Sequence, residues 1–336
     1  MRRSACIFGC AGTELSRGEQ AFFAEMRPLG FILFSRNGQS RDEVHRLTDQ
    51  LREAAGEDVL ILTDHEGGRV QRFTGKGWRS WMPALEQCML VRPENRLRAL
   101  WLRYRIIAAE LQAAGIDVNC VPVADVATAN THEVLRNRCY SDNAHMVADA
   151  AGTVAEACLA GGVLPVLKHI PGHGKPSVDS HLRLPETDAS LQQLEEEDFL
   201  PFRRLGHLPL GMTAHVLYRA IDSERAATHS AGVVELIRNS IGFQGLLMTD
   251  DLSMQALAGS MAVRCRRALE AGCDVILHCN GEMPEMREIA SAVGELEGMS
   301  LFRAERAMAA KPPPDSSEPD RLEAEYSALM RLGSGR

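Results

Sequence analysis

Short apolar segments alternate with helical segments along this 336-residue sequence, and the alternation predicts an α/β fold: a (β/α)8 barrel of the TIM type, in a single domain with a C-terminal helical tail. Two further observations support this fold. Several helical segments end in glycine just before the next apolar segment, as helices commonly do. Polar residues cluster where the apolar segments end, and the active sites of such barrels lie at that end of the strands.

Eight apolar segments are the predicted strands. In chain order they are ACIFG, FILFS, VLILTD, IDVNCVPVAD, VLPVLKH, LGMTAHV, GLLMTD and DVILHCN. Segments with helical periodicity, such as RDEVHRLTDQLREAAG, lie between most of them, which indicates a parallel sheet covered by helices. A doubly wound open sheet is the alternative, but it usually carries a glycine-rich phosphate-binding turn after its first strand, and GCAGTELSRG is a poor match.

The last residues of the sequence differ in composition from the rest. We expect residues 1–300 to form the catalytic barrel and residues 301–336 to form a proline-rich linker and a helical tail. The segment KPPPDSSEPD cannot be helical, whereas RLEAEYSALMRL after it has helical spacing. The tail helix is expected either to dock on the barrel or to fray.

Composition excludes several classes of protein. The net charge of −8 argues against nucleic acid or an anionic membrane as a partner. The nine cysteines are odd in number and form no CxxC pair, which is typical of reduced thiols in a cytoplasmic protein. The apolar stretch near the N-terminus is short for a secretion signal, and no segment approaches the roughly 18 apolar residues of a membrane span. We therefore expect a cytoplasmic protein.

Two adjacent carboxylates follow the seventh predicted strand, in TDDLSM. A carboxylate at a strand end can be a nucleophile, a base, a metal ligand or a helix cap. Asp251 precedes LSMQAL, which can begin a helix, so a capping role is sufficient to explain it. Asp250 is left without a structural task, and we interpret it as the chemically active group.

A long loop follows the fifth predicted strand, in KHIPGHGKPSVDSH. Asp179 stands two residues before His181, and an aspartate so placed can orient an imidazole for general acid–base work. A solvated loop with incidental polar residues is the alternative. The position of the loop at the expected catalytic face favours the functional interpretation.

Metal catalysis and Schiff-base catalysis are competing interpretations. The candidate metal ligands are His169, His173, His181 and His215. The first strand lacks the H-x-H pair common in metal-dependent barrel hydrolases, and Pro171 prevents a helix from aligning the first two histidines. Lys168 could form a Schiff base, but that leaves Asp250 without a role. We therefore expect neither a metal nor a cofactor.

Several motifs together resemble the bacterial β-N-acetylglucosaminidases of glycoside hydrolase family 3. They are KHIPGHG with DSH behind it, TDDLSM, DHEGGRVQRF, MTAHVLY, LFSRN and the pair CN, and they span about the first 290 residues. His65 stands where relatives usually have glutamine, and the family does not specify the proline-rich tail. Neither departure touches the catalytic motifs.

The resemblance implies an exo-acting retaining enzyme that forms a covalent glycosyl-enzyme. Asp250 matches the family nucleophile, His181 its acid/base and Asp179 the partner of that histidine. The residues that match sugar-binding positions are Asp64, Arg72, Arg138, Lys168 and His169. Arg138 is assigned from RCY, with Arg136 as the nearby alternative.

The implied substrate is a small-molecule sugar. Cytosolic members of the family remove terminal β-linked N-acetylglucosamine from 1,6-anhydro-muropeptides during peptidoglycan recycling, and we expect this chain to do so as a monomer. A barrel that binds sugar but has lost catalysis is an alternative function. Such a protein should lack the nucleophile or the Asp–His pair, yet all three residues are present.

Overall fold

The computed structural model describes residues 2–176 and 184–333. Within them, eight parallel strands form one sheet in the order β7-β6-β5-β4-β3-β2-β1-β8. A parallel bridge between Met248 and Val275 joins β7 to β8, which closes the sheet and confirms the predicted barrel. The strands are β1 Ser4–Phe8, β2 Pro28–Leu33, β3 Leu60–Thr63, β4 Val118–Asn119, β5 Leu164–Ile170, β6 Leu210–Thr213, β7 Leu246–Met248 and β8 Ile276–His278.

Helices surround the barrel and connect its strands. They are α1 Arg17–Met26, α2 Arg41–Ala55, α3 Ala84–Leu90, α4 Arg96–Ala113, α5 Glu133–Arg136, α6 Ala144–Ala160, α7 Leu191–Gln193, α8 Phe199–Arg204, α9 Ala231–Asn239, α10 Met261–Ala271, α11 Met283–Ala290, α12 Gly298–Ala309 and α13 Pro319–Gly333. Short 3₁₀ turns occur at Ser35–Asn37, Pro93–Asn95 and Ala227–His229, and a π turn occurs at Leu194–Asp198. No helix in the described ranges is long and apolar enough to cross a membrane.

Two small strand pairs lie outside the barrel sheet. His65–Gly67 pairs antiparallel with Val70–Gln71, and Glu186–Thr187 pairs parallel with Leu217–Tyr218. The first pair directly follows β3, so it carries its residues to the end of the barrel where the strands finish. Its role in the site is described below.

Strand β4 is much shorter than the predicted segment IDVNCVPVAD. Pro122 lacks an N–H group and cannot donate to a neighbouring strand, so regular pairing stops before it. The segment nevertheless stays beside β5, because the carbonyl oxygen of Pro122 accepts a hydrogen bond from the N–H of Lys168 at 3.1 Å. This contact places Lys168 at the end of the barrel.

Side chains inside the barrel form an apolar cluster that is separate from the layer between strands and helices. Ile7, Ile32 and Leu62 belong to the inner cluster, whereas alternating residues on the same strands pack outward against the helices. Helix α12 adds Ala304 and Ala307 to the inner cluster. The apolar interior therefore continues into α12 at one end, and the site lies at the other.

The N-terminal end of the strands is closed by α12. Ser300 and Arg303 of this helix donate to Asp274, at 2.7 and 2.9 Å, and Asp274 lies two residues before the start of β8. The predicted boundary between barrel and tail, at residue 300, falls inside this helix and stays a prediction.

The C-terminal helix α13 docks on α4. Leu322 and Tyr326 are buried, and Arg98 donates two hydrogen bonds of 2.7 Å to Glu325. Asp315, in the proline-rich segment before the helix, accepts a hydrogen bond of 2.7 Å from Arg105. The tail is thus attached at several points, and α4 is its main contact surface.

A buried carboxyl group near this contact predicts a pH dependence of stability. Burial raises the pKa of Glu110 from 4.5 to about 7, against the opposing effects of Arg79 and Arg41, and Glu323 adds to the rise. Because the folded state favours the protonated carboxyl, the protein loses stability as pH rises from about 4.5 to about 7. We expect Glu110→Gln to raise Tm at pH 8 by about 3 °C and to leave Tm unchanged at pH 4.5. Calorimetry at both pH values measures this, and an equal Tm change at both would contradict it.

Candidate active site

A pocket of about 360 Å³ opens at the C-terminal ends of the strands. Three of its polar residues lie at or near the ends of different strands: Asp64 directly after β3, Lys168 within the last residues of β5 and Asp250 two residues after β7. Ile32 and Met212 also line it, and both belong to the apolar cluster inside the barrel. The polar side chains therefore stand above an apolar base.

A partly buried cluster of charges forms one side of the pocket. The Lys168 ammonium lies 2.8 Å from Asp64 Oδ1 and 2.7 Å from Glu66 Oε1. Arg138 donates two hydrogen bonds to the Glu66 carboxylate, at 2.8 and 2.9 Å, and Arg72 donates one to Asp64 at 2.9 Å. Three cations thus surround two carboxylates, an arrangement with many directed donors for sugar hydroxyls.

The cations keep both carboxylates ionised. Burial by itself would raise the pKa of Asp64, but Lys168 and Arg72 hold it below its ordinary value. Burial acts on Glu66 in the same way, and Arg138 and Lys168 hold its pKa below the ordinary range. A depressed carboxyl pKa contributes stability above the unfolded-state value, and this contribution is lost as pH falls. The cluster is therefore assembled at neutral pH.

The structure brings Arg138 and not Arg136 to this pocket. Arg138 lines the pocket and binds Glu66, whereas Arg136 lines a separate cavity of about 410 Å³ beside α4 and α6. The two residues are two positions apart at the end of the short helix α5, so they point in different directions. Of the two sequence candidates, Arg138 is the one placed to contact a ligand in the pocket.

Glu66 is a site residue that the sequence interpretation left without a role. It stands two residues after Asp64 in the extended segment that follows β3, so the two side chains face the same way. That spacing was a usable signal. The motif assigned only Asp64 to the sugar, yet Glu66 holds both Arg138 and Lys168.

His65, between those two carboxylates, is buried in an aromatic environment. Its ring lies 5.5 Å from Trp78 and 6.2 Å from Phe73, and neither ring nitrogen has a hydrogen-bond partner among the described residues. Its backbone is held by the Asn119 side chain, which accepts from the His65 N–H at 2.9 Å and donates to its carbonyl at 3.1 Å. Burial and the nearby Arg103 lower the pKa of His65 to about 3, so the ring is neutral.

Asp250 lines the pocket, and the described residues donate one hydrogen bond to its carboxylate. Its Oδ1 accepts a hydrogen bond of 2.8 Å from the Asp251 N–H, and its other oxygen has no donor among the described residues. Burial would raise the pKa of Asp250, but His169, then His215, and Lys168 hold it below its ordinary value. The group is therefore an ionised carboxylate at the pocket, and within the described part of the chain one of its oxygens is not hydrogen-bonded.

Asp251 does not cap a helix, so that expectation is wrong. Its Oδ1 accepts from the N–H groups of Ser253 and Cys279, both at 3.1 Å, and its Oδ2 accepts from the Ser253 hydroxyl at 2.6 Å. The next residue, Leu252, donates its N–H to Leu277 of β8 at 3.1 Å. Because the chain here bonds to β8, no helix begins until Met261.

A further buried carboxylate, that of Asp125, orients His169. Its Oδ2 lies 2.7 Å from His169 Nδ1, and its Oδ1 accepts a hydrogen bond of 2.8 Å from the His173 N–H. An aspartate bonded to one ring nitrogen fixes the orientation of the imidazole. The sequence placed Asp125 at a strand end but assigned it no role.

His215, a metal-ligand candidate from the sequence, is bonded inside the protein. Its Nδ1 lies 2.7 Å from the Thr228 hydroxyl and its Nε2 lies 3.1 Å from the carbonyl oxygen of Asp251. Burial lowers its pKa. In residues 2–176 and 184–333, no three histidine, cysteine, aspartate or glutamate side chains are grouped to hold a metal ion.

The proposed acid/base pair, Asp179 and His181, lies outside the described residues. The described chain stops at Pro176, which lines the pocket, and resumes at Leu184. Lys175, one residue earlier, is bonded to Asp198 at 3.2 Å. The chain therefore enters this segment at the pocket.

Comparison with known proteins identifies the class and then the family. Residues 14–308 match the glycosyl hydrolase family 3 N-terminal domain. The chain is 38% identical over 283 residues to a β-hexosaminidase of Alkalilimnicola ehrlichii, which covers 82% of this chain and 80% of that protein. A β-hexosaminidase of Idiomarina loihiensis is 36% identical over 302 residues, covering 89% and 90%.

A solved structure gives the same result. Native NagZ from Neisseria gonorrhoeae superposes with a TM-score of 0.85 at 30% identity, covering 100% of this chain and 98% of that one. The chain is a glycoside hydrolase on a (β/α)8 barrel, and it belongs to glycoside hydrolase family 3. The resemblance found in the sequence motifs is confirmed.

The charge cluster generates a stability prediction. Glu66→Gln replaces a buried anion, shared by buried Lys168 and partly buried Arg138, with an amide that can accept on one side only. We expect it to lower the free energy of unfolding by about 3 kcal/mol, as when one partner of a buried ion pair is removed. Urea denaturation measures the change.

The matched control is Glu285→Gln. Glu285 binds His278 and Asn280 at 2.8 and 2.7 Å, but its side chain is 40% exposed, so its loss should cost less than about 1 kcal/mol. Equal destabilisation by the two substitutions would show that Glu66 is not a central contact of the site.

Proposed function

We propose that the chain is a retaining, exo-acting β-N-acetylglucosaminidase with Asp250 as its nucleophile. The observation that carries this proposal is the ionised Asp250 carboxylate at the pocket, one oxygen of which has no hydrogen-bond donor among the described residues. Arg72, Arg138 and Lys168 line the same pocket. Curated relatives bear the name β-hexosaminidase. NagZ from Neisseria gonorrhoeae has also been solved in complex with N-trifluoroacetyl-D-glucosamine.

The reaction proceeds in two steps at one carbon atom. Asp250 attacks the anomeric carbon while the glycosidic bond breaks, and His181 donates a proton to the leaving oxygen. Water then opens the glycosyl-aspartate, with His181 accepting its proton and Asp179 orienting the imidazole. The depressed pKa of Asp250 suits the first step, because only the anion is a nucleophile.

Asp64, Arg72, Arg138, Lys168 and His169 bind the sugar in this proposal. Lys168 has three N–H donors and uses two of them on Asp64 and Glu66, which leaves one for a sugar oxygen. Arg138 uses two of its five donors on Glu66. Since these side chains are already held by one another, binding requires little further ordering, which favours catalysis.

The proposed substrate is a muropeptide with a terminal N-acetylglucosamine. Ile32, Met212 and Leu277 line the pocket where the apolar interior of the barrel begins, so a polysaccharide has no exit there. This geometry favours removal of one terminal residue. We place the activity in cytoplasmic peptidoglycan recycling on 1,6-anhydro-muropeptides, by a monomer that needs no metal or cofactor.

The nucleophile is tested by comparing two adjacent aspartates with a 4-nitrophenyl N-acetyl-β-glucosaminide, in the presence of EDTA. Asp250→Asn should lower kcat at least several hundredfold, because the amide cannot form the glycosyl-enzyme. Asp251→Asn should cost less than about tenfold, since an amide oxygen still accepts from the N–H groups of Ser253 and Cys279.

Three other results would overturn the proposal. Reversed effects of the two substitutions would remove Asp250 as nucleophile. Loss of wild-type activity in EDTA would favour a metal-dependent hydrolase, and no turnover at all would favour a barrel that only binds sugar. A mechanism-based fluorosugar that retains the N-acetyl group and traps the intermediate should add its mass to the peptide containing Asp250.

The acid/base role of His181 is tested by leaving groups of different basicity. His181→Ala should lower kcat/KM on a muramic-acid alcohol leaving group at least about tenfold more than on nitrophenolate, which departs with little help from an acid. Asp179→Ala should show a weaker form of the same pattern. Equal losses on both substrates would show that His181 is not the general acid.

A further inference from the structure

A line of buried hydrogen bonds connects the C-terminal helix α13 to the pocket. The Tyr326 hydroxyl donates to Gln87 Oε1 at 3.0 Å, and Arg103 Nη1 donates to the same oxygen at 3.0 Å. Arg103 Nη2 then donates to the backbone carbonyl of Glu66 at 2.6 Å. The carboxylate of that same residue holds Lys168 and Arg138. The side chains of Tyr326, Gln87 and Arg103 thus link the tail helix to the sugar-binding cluster.

The amide of Gln87 has a defined orientation in this line. Two donors meet at its Oε1, so the oxygen and not the nitrogen must face them. Gln87 lies in α3, Arg103 in α4 and Tyr326 in α13, and all three side chains are buried. One amide oxygen therefore joins three helices at a point shielded from water.

Arg103 is a buried cation at a position where packing alone would favour an apolar side chain. It is fully buried, yet its described acceptors are neutral: the Gln87 amide and the Glu66 carbonyl, with the Trp81 and Tyr104 rings nearby. A buried cation without a carboxylate is costly, and an apolar side chain of similar size would fill the space more favourably. Arg103 instead contributes the hydrogen bond that fixes the backbone carbonyl of Glu66.

The backbone around Glu66 is shaped to receive that guanidinium. Gly67 has φ of +95°, and a Cβ added there would collide with Arg103 Nη2. The Tyr104 hydroxyl donates to the same Glu66 carbonyl at 3.1 Å. Glu66 is consequently held from both sides, by α4 at its carbonyl and by the pocket cations at its carboxylate.

We propose that Tyr326 of α13 is a positioning residue of the active site, and that it acts through Gln87 and Arg103 to set the position of Glu66, Lys168 and Arg138. The other buried residues of α13 pack the helix against α4 and take no part in this positioning. This inference rests on the proposed function, because its consequence is a change in the affinity for the sugar.

The test compares Tyr326→Phe with wild type on the nitrophenyl substrate. Phenylalanine keeps the ring that packs against Trp81, 5.3 Å away, and removes only the hydroxyl. We expect KM and the inhibition constant of free N-acetylglucosamine to rise about three- to tenfold, with kcat within about twofold. The inhibition constant reports binding without the chemical step.

Gln87 provides a matched pair of variants. Gln87→Leu removes the shared acceptor and should raise both constants as Tyr326→Phe does. Gln87→Glu keeps an oxygen for Arg103 and Tyr326 and should restore both constants to near the wild-type values. If the substitutions acted only by disturbing the packing, Gln87→Glu would not be expected to keep KM and the inhibition constant closer to wild type than Gln87→Leu does.

Leu322→Ala is the control for general loosening of the tail. Leu322 is buried on the same helix but lies outside the hydrogen-bonded line, so its truncation should lower Tm and leave KM unchanged at 25 °C. The proposal is overturned if Tyr326→Phe and Gln87→Leu lower Tm without changing KM, or if Leu322→Ala raises KM as much as they do. An inactive wild-type protein would instead overturn the proposed function.

Discussion

The contact on which the pocket depends is the carboxylate of Glu66 between Lys168 and Arg138. Lys168 comes from β5 and Arg138 follows α5, whereas Glu66 follows β3, so one anion joins three separate parts of the chain. Without it, Lys168 and Arg138 would lose the carboxylate that they share, and Asp64 would remain as a partner of Lys168. Because the partners are fixed relative to one another, displacement of one displaces the others, and the sugar-binding side chains form one unit.

The two ends of the barrel differ in the interactions that stabilise them. At the N-terminal end, α12 adds small side chains to the apolar interior, and the burial of apolar surface stabilises the fold. At the C-terminal end, charged groups are removed from water, which costs free energy unless each is paired. The pairing of Asp64, Glu66 and Asp125 with cations or histidines offsets that cost and at the same time leaves donors directed at the pocket.

Sequence patterns predicted the barrel and several pocket residues because both follow from local rules. Strand ends carry the polar residues of a barrel, so Asp64, Lys168 and Asp250 could be found without knowing what lies opposite them. The helix expected after Asp251 was wrong for the same reason, since a local capping rule takes no account of the hydrogen bonds to β8. Local rules describe one segment at a time.

Local sequence patterns could not predict contacts between segments that are far apart in the chain. Tyr326 and Gln87 are 239 positions apart, and nothing in either segment indicates that they share a hydrogen bond. Asp125 was visible at a strand end, but its pairing with His169 depends on how β4 lies beside β5. Glu66 had a usable local signal in its spacing from Asp64, and its importance emerged only with the two cations that reach it.

The aromatic enclosure of His65 has a consequence for how the rate of this hydrolase depends on acidity. With a pKa of about 3, His65 takes up no proton in the range where enzymes are usually assayed, and burial likewise lowers the pKa of His173 to about 4. Neither imidazole therefore titrates in the pH range over which activity is measured. An inflection near neutral pH in kcat/KM belongs to neither of them, so fewer groups can account for the proton that moves during catalysis.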